Sequence, residues 1–188
     1  MTDGAQLTES VRELIDALIR TEVGADRIAV AEGHVAAAVE VLTEKLMTGS
    51  FGVRRSAEGA PLLWGNVVVG QRNAIAPPLV IEHHESGLVS ADFMLGAAYE
   101  GPAGHVHGGI CALVLDHLLG ATAHRPGRPA VTGTLQTRFL RPTPLGALRA
   151  EAWVEHEKGR KAYSRGRIVS GGQTTVEAQG IFIRPARG

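Results

Sequence analysis

The sequence predicts an α+β fold in which an antiparallel sheet wraps around one long central helix, with helices added at the N-terminus. Three observations carry that expectation. Residues 108 to 122 are apolar on nearly every side, with Ile110, Leu113, Val114, Leu115, Leu118 and Leu119 covering most directions, and a helix of that kind is buried. Two strand-like stretches precede it and four follow it, with no second helix between them. Strands grouped in this way, and not alternating with helices, form antiparallel sheets.

Taken in chain order, Leu7, Val11, Leu14, Ile15, Leu18 and Ile19 recur at helical spacing. Gly24 interrupts the pattern, and Val35, Val39, Leu42 and Leu46 resume it until Gly49. Residues 1 to 50 are therefore read as an N-terminal helical extension and residues 51 to 188 as the main domain. "GNVVVG", residues 65 to 70, is expected to hold a short strand. "RNAIAPPL" is a loop fixed by Pro77 and Pro78. "LVIEHHE" and "GLVSADFML" flank Ser86 and Gly87 and read as a hairpin.

Beyond the central helix, "AVTGTLQTRFLRP" is expected as a strand. Plain alternation puts Val131, Leu135 and Phe139 on one face and Thr132, Thr134, Gln136 and Arg138 on the other. "ALRAEAWVEHE" alternates, "KGRK" turns the chain into "AYSRGRIV", and Gly171–Gly172 is a two-residue hairpin signal leading into "TTVEAQGIFI".

Composition narrows the function. The 188 residues are 44% hydrophobic and 20% charged, and nineteen basic residues balance nineteen acidic ones. A balanced chain has no global basic field for nucleic acid. Cys111 is the only cysteine, so neither an intrachain disulfide nor a CxxC motif exists. No apolar run is long enough for a membrane span, and residues 1 to 20 carry Asp3, Glu9, Glu13 and Asp16 in place of a secretory core. A cytoplasmic location is expected. The eight histidines show no ligand spacing with carboxylates, so no metal is expected.

The chemistry concentrates in "GHVHGGICALVLDH", residues 104 to 117. A carboxylate on a buried helix costs free energy unless it is paired or used. The first turn of a helix offers unpaired N–H groups and partial positive charge. Gly108 and Gly109 leave those groups open. Donors aimed at a developing oxyanion, with a carboxylate in apolar surroundings, suit hydrolysis of a carbonyl compound.

HGG, six residues, then Asp resembles the hotdog-fold acyl-CoA thioesterases, a group that includes enzymes of phenylacetate breakdown. "NAIAPPL", "YEGPAGHVHGG", "VTGTLQTRFLRPTPLG" and "EKGRKAYSRGRI" resemble that superfamily's segments in their usual order, over about residues 62 to 185. The resemblance implies an acyl-CoA thioesterase without a dissociable cofactor, coenzyme A being part of the substrate. It implies Asp116 as general base or nucleophile, Gly108 as the oxyanion donor, His107 as a positioning residue and Thr132 as a hydroxyl beside the acid. Gly109, Asn73, Arg141, Arg160 and Lys161 are candidate substrate contacts, the three cations as a clamp for coenzyme A phosphates. Two positions depart from common family patterns. Gly101 stands where several members have Asn or Gln, and Gly120 where others have Thr. Other functions on this fold would be non-catalytic acyl-CoA or acyl-lipid binding, or acyl-CoA hydration and dehydration.

Helix geometry adds an expectation about assembly. Asp116 lies eight residues after Gly108, roughly 12 Å along an α-helix at about 1.5 Å per residue. One carbonyl cannot sit about 3 Å from both. A homodimer, or a dimer of dimers, with the site shared between chains is expected.

Overall fold

The computed structural model describes residues 4–48, 54–57, 59, 61–124 and 129–186. Helix α1 spans Ala5–Arg20 and α2 spans Ala25–Thr43. Short strands β1 (Arg54–Arg55) and β2 (Pro61–Leu62) pair with each other. The main sheet contains β3 (Glu82–His83), β4 (Val89–Leu95), β5 (Val131–Phe139), β6 (Gly146–Lys158), β7 (Lys161–Ser170) and β8 (Gln173–Ile183). Its order is β3-β4-β6-β7-β8-β5, every pair antiparallel. A 3₁₀ turn, Ala97–Tyr99, leads toward helix α3, Gly108–Ala123. This is the α+β hotdog arrangement that the sequence predicts. Gly49 and the boundary near residue 50 lie outside the described residues.

Helix α3 lies across β6, β7 and β8. Val114, Leu115, Leu118 and Leu119 are wholly buried there, against Ala150, Ala152, Ile168, Val176 and Phe182. Two glycines let it come close. A Cβ on Gly166 would stand 2.6 Å from Leu119 Cδ1, and one on Gly180 would stand 3.1 Å from Leu119 Cδ2. The far end of α3 is capped from the sheet, where Arg184 Nε and Nη2 both donate to the Ala123 carbonyl. A cation at a helix C-terminus satisfies an orphan carbonyl and opposes the helix dipole.

Three segments differ from the sequence expectation. Residues 67 to 69 form turns in place of a strand. The Asn66 side chain accepts from the N–H groups of Val68 and Val69 and curls the chain locally. The stretch before Ser86 pairs with β4 only at Glu82 and His83, since Pro77–Pro78 and a Leu79 N–H bonded back to Pro77 hold the residues before it off the sheet.

The third difference is in β5. Thr132 is opposite Phe182 and Thr134 is opposite Ile181, which leaves Gly133 as an extra, bulged residue. A bulge inverts the alternation on one side of it. Thr132 therefore shares the inward face with Leu135, Thr137 and Phe139, and Val131 turns outward. A Cβ on Gly133 would meet Ile183 Cδ1 at 2.8 Å and the Ile181 carbonyl at 3.2 Å, so the bulge is built for glycine.

Candidate active site

The inward turn of Thr132 brings it to the acid. Its Oγ1 donates to Asp116 Oδ1 at 2.9 Å. No partner for Asp116 Oδ2 is found among the described residues. The half-buried Asp116 opens on a hollow of about 540 Å³. Leu63, Ala121, Val131 and Phe182 give it apolar walls, and His83, His117 and His124 also line it. Burial pushes the His117 imidazole below its ordinary range, and His124 adds to this while the Asp116 carboxylate opposes it. His124 caps the helix end, its Nδ1 3.1 Å from the Gly120 carbonyl. Among the described residues, no three His, Cys, Asp or Glu side chains are placed to hold a metal ion.

The head of α3 divides its donors unequally. The His107 carbonyl accepts from Ile110 and Cys111, and His107 Nδ1 accepts from the Gly109 N–H at 3.0 Å. A neutral imidazole accepting at Nδ1 carries its proton on Nε2. His107 thus works as a side-chain N-cap, and the Gly109 N–H is occupied. The Gly108 N–H has no acceptor among the described residues and is the donor left for a ligand.

A side chain at either glycine would crowd a neighbour. A Cβ on Gly108 would lie 3.2 Å from the Phe139 ring, and one on Gly109 would lie 3.1 Å from His107 Nδ1. The two family departures have local causes of the same kind. A Cβ on Gly101 would stand 2.8 Å from His107 Cα, and one on Gly120 would stand 3.3 Å from the Phe182 ring.

Gly108 and Asp116 do not meet. Gly108 faces a second hollow of about 450 Å³ with Cys111, Phe139, Leu140 and Arg141 among its walls, none of which lines the hollow of Asp116. Burial raises the Cys111 thiol, with a hydrogen bond to Thr143 pulling the other way, so it is protonated at neutral pH. Strand β5 spans both hollows, with Thr132 at the acid and Phe139 at the glycine.

The cations separate in the same way. Arg160 and Lys161 line a small depression with Lys158, Tyr163 and Ile183. Lys161 is opposite Ile183, which is opposite Val131, so this cluster lies at the Thr132 end of β5. Arg141 lies beyond the Phe139 end and bonds to Gln173. The Asn73 side chain is spent within its own loop. Its Nδ2 donates to the carbonyls of Gly65 and Asn66, and its Oδ1 accepts from Ile75 N–H. Sequence reasoning missed two parts, the His107 cap and the bulge that aims Thr132. Gly133 inside a strand pattern was the available signal for the second.

Comparison with known proteins bears on this arrangement. The family model described as the thioesterase superfamily matches residues 103–177. A crystal structure described as a thioesterase superfamily protein is 33% identical with a TM-score of 0.85, covering 97% of this chain and 91% of that one. Acyl-coenzyme A thioesterase THEM4 of Xenopus laevis is 33% identical over 95 residues, which are 49% of this chain and 43% of that protein. The match thus spans less than half the length of this curated relative. A phenylacetic acid degradation-related protein of Ralstonia eutropha is 25% identical with a TM-score of 0.52, covering 56% of this chain and 83% of that one.

Proposed function

We propose, since the chain belongs to the thioesterase superfamily, that it hydrolyses an acyl-CoA thioester to the free acid and coenzyme A. The observation that carries this reading is the oriented carboxylate on α3, Asp116 held by Thr132 at 2.9 Å on the wall of a hollow. Asp116 takes a proton from water as the water oxygen adds to the thioester carbonyl. The Gly108 N–H receives the oxyanion. Collapse breaks the carbon–sulfur bond, and the departing thiolate takes the proton back. Direct attack by the carboxylate gives an anhydride that water then opens, with the same products.

The site is composed across two chains. Thr132 and Asp116 sit at one end of β5 and Phe139 and Gly108 at the other. Strand β5 is an edge strand whose Val131 and Phe139 are both more than half exposed. Two β5 edges paired antiparallel, with Thr132 opposite the partner's Phe139, would set each Asp116 beside the other chain's Gly108. The same symmetry would bring Arg160 and Lys161 of one chain to the Arg141 end of the other as a phosphate clamp. Two-fold symmetry then makes two sites.

The test is complementation, read as free-thiol release from a panel of acyl-CoA substrates. Asp116→Asn removes the carboxylate. Gly108→Pro removes the donor N–H at a helix position whose backbone tolerates proline, after a His107 whose ψ of 132° suits a residue before proline, with the Phe139 ring, 3.2 Å from a Cβ there, shifting to admit it. Each homodimer should be nearly inactive. A randomly assorted mixture should recover up to about a quarter of wild-type activity, since about half its dimers are mixed and each of those keeps one working site. Folded, verified mixed dimers without activity would reject the shared site. Acyl-CoA affinity in the wild type without thiol release would reject hydrolysis in favour of binding alone.

A further inference from the structure

Helix α1 is docked and helix α2 is not. Thr8 is buried, and Val11, Arg12, Ile15 and Asp16 are partly covered. Arg12 reaches the carbonyls of Asn73 and Ala76, and the latter also accepts from the Tyr99 hydroxyl. Every residue from Thr21 to Thr48 is exposed. Helix α2 makes no extensive contact with the sheet, with α3 or with α1.

Helix α2 has little to hold it in isolation. Most helical stability in proteins comes from packing of one face, which this 19-residue helix lacks within its own chain. It contains Gly33 in its interior and the β-branched Ile28, Val30, Val35, Val39 and Val41, all poorer helix formers than Ala. Its apolar residues do form a seam. Ile28, Val35 and Leu42 recur every seven residues, with Ala31, Ala38 and Val39 between them, the repeat that packs against another helix. Helix α1 has a matching exposed stripe of Leu7, Leu14 and Leu18 beside its docked face.

We propose that the seam of α2 packs on the α1 stripe of a second copy of this chain, reciprocally about a two-fold axis. A second copy fits because the chain carries both halves of the contact, so one dyad covers all four stripes, with Val30 and Val41 on the far face of α2 left outside it. The area points the same way. The shorter partner, α1, has 16 residues, about 24 Å of contact length at a width of about 10 Å, so one helix pair covers roughly 480 Å², in the range of incidental contacts. Two symmetry-related pairs cover roughly 960 Å², close to the ~1,000 Å² a specific interface needs, so both pairs are required. The four-residue link Thr21 to Gly24 is long enough for a helical hairpin, yet α2 leaves its own α1 stripe uncovered.

Leu14 and Val35 lie near the midpoints of their helices, so they meet in either orientation. Two differently tagged full-length chains, one Leu14→Cys and one Val35→Cys, are co-expressed, purified and oxidised. The native Cys111 is buried and does not compete. The expected product is a covalent heterodimer, about tenfold more abundant than with Ala37→Cys on the opposite face of α2, since a disulfide forms only between Cα atoms ~4.4–6.8 Å apart. Equal yields from Val35→Cys and Ala37→Cys, or no heterodimer, would overturn the proposal. So would a monomeric intrachain disulfide in the doubly substituted L14C/V35C chain, which would mean that α2 folds onto its own α1.

Discussion

Replacing Thr132 by Val tests the contact that sets the acid. Val keeps the branched shape, suits a strand and still faces Phe182 across the β5–β8 pair. What disappears is the hydroxyl donor 2.9 Å from Asp116 Oδ1. A hydrogen bond to a charged acceptor is worth about 1.5–3 kcal/mol. This one is reached by solvent in a single chain, so the lower figure applies. About 1.5 kcal/mol corresponds to roughly a tenfold loss of rate at ~1.36 kcal/mol per decade. The loss should fall on kcat, with KM changed by less than about twofold, because the carboxylate and not the bound thioester loses its partner. The assay is thiol release at saturating acyl-CoA, with Thr132→Ser as the variant that restores the donor. Deleting Gly133 attacks the same contact through the backbone. Without the bulge, plain alternation turns Thr132 outward, and the rate should fall at least as far as in Thr132→Val. An unchanged kcat in Thr132→Val, or equal damage from Ser and Val, would refute the orienting role.

The cation cluster should be felt only through the nucleotide. Arg160→Ala should raise KM for acyl-CoA and leave short thioesters lacking the nucleotide unaffected, with the difference shrinking as salt is added; equal effects on both substrates would contradict a phosphate clamp. His117 should make the fold acid-sensitive. Burial lowers its folded pKa below the ordinary value of 6.5, so the unfolded chain binds the proton more readily, and stability is lost as pH falls below about 6.5. Thermal melting at pH 7.5 and pH 5.5 should show a smaller drop in Tm for His117→Asn than for the wild type; an equal drop would remove His117 from the acid response.

Elements set by side-chain pattern were legible in the sequence. Helix α3 is apolar on nearly every side, and a helix of that kind is buried, here against β6, β7 and β8. The hairpins announced themselves through Gly159 and the Gly171–Gly172 pair, whose positive φ values are those that tight turns demand. Asp116 stood out because a carboxylate is costly on such a helix. Features set by competition between partners were not legible. Val67, Val68 and Val69 favour a strand, but the Asn66 side chain takes two of their N–H groups first. Gly108 and Gly109 look equivalent as letters, and only the reach of His107 Nδ1 separates an occupied donor from an open one. In α2, periodicity marks a face that can pack on another helix without saying whether that helix belongs to its own chain.

The β5 bulge shows how one residue couples these levels. Alternation alone would have turned Thr132 away from the helix and left Asp116 without its partner. The inserted glycine reverses the facing of Val131 and Thr132 while the rest of the strand keeps Leu135, Thr137 and Phe139 inward. The reversal leaves Val131 more than half exposed on the outer side of an edge strand, an arrangement that invites pairing with another strand. The device that turns a hydroxyl onto the carboxylate therefore also adds apolar surface at the edge where the proposed second chain would bring Gly108. In the proposed dimer both consequences serve one end. The acid is oriented from within its own chain, and the oxyanion donor arrives with the surface that covers Val131. A monomer would keep the first and forgo the second, holding an aimed carboxylate some 12 Å along the helix from the N–H proposed as the oxyanion donor.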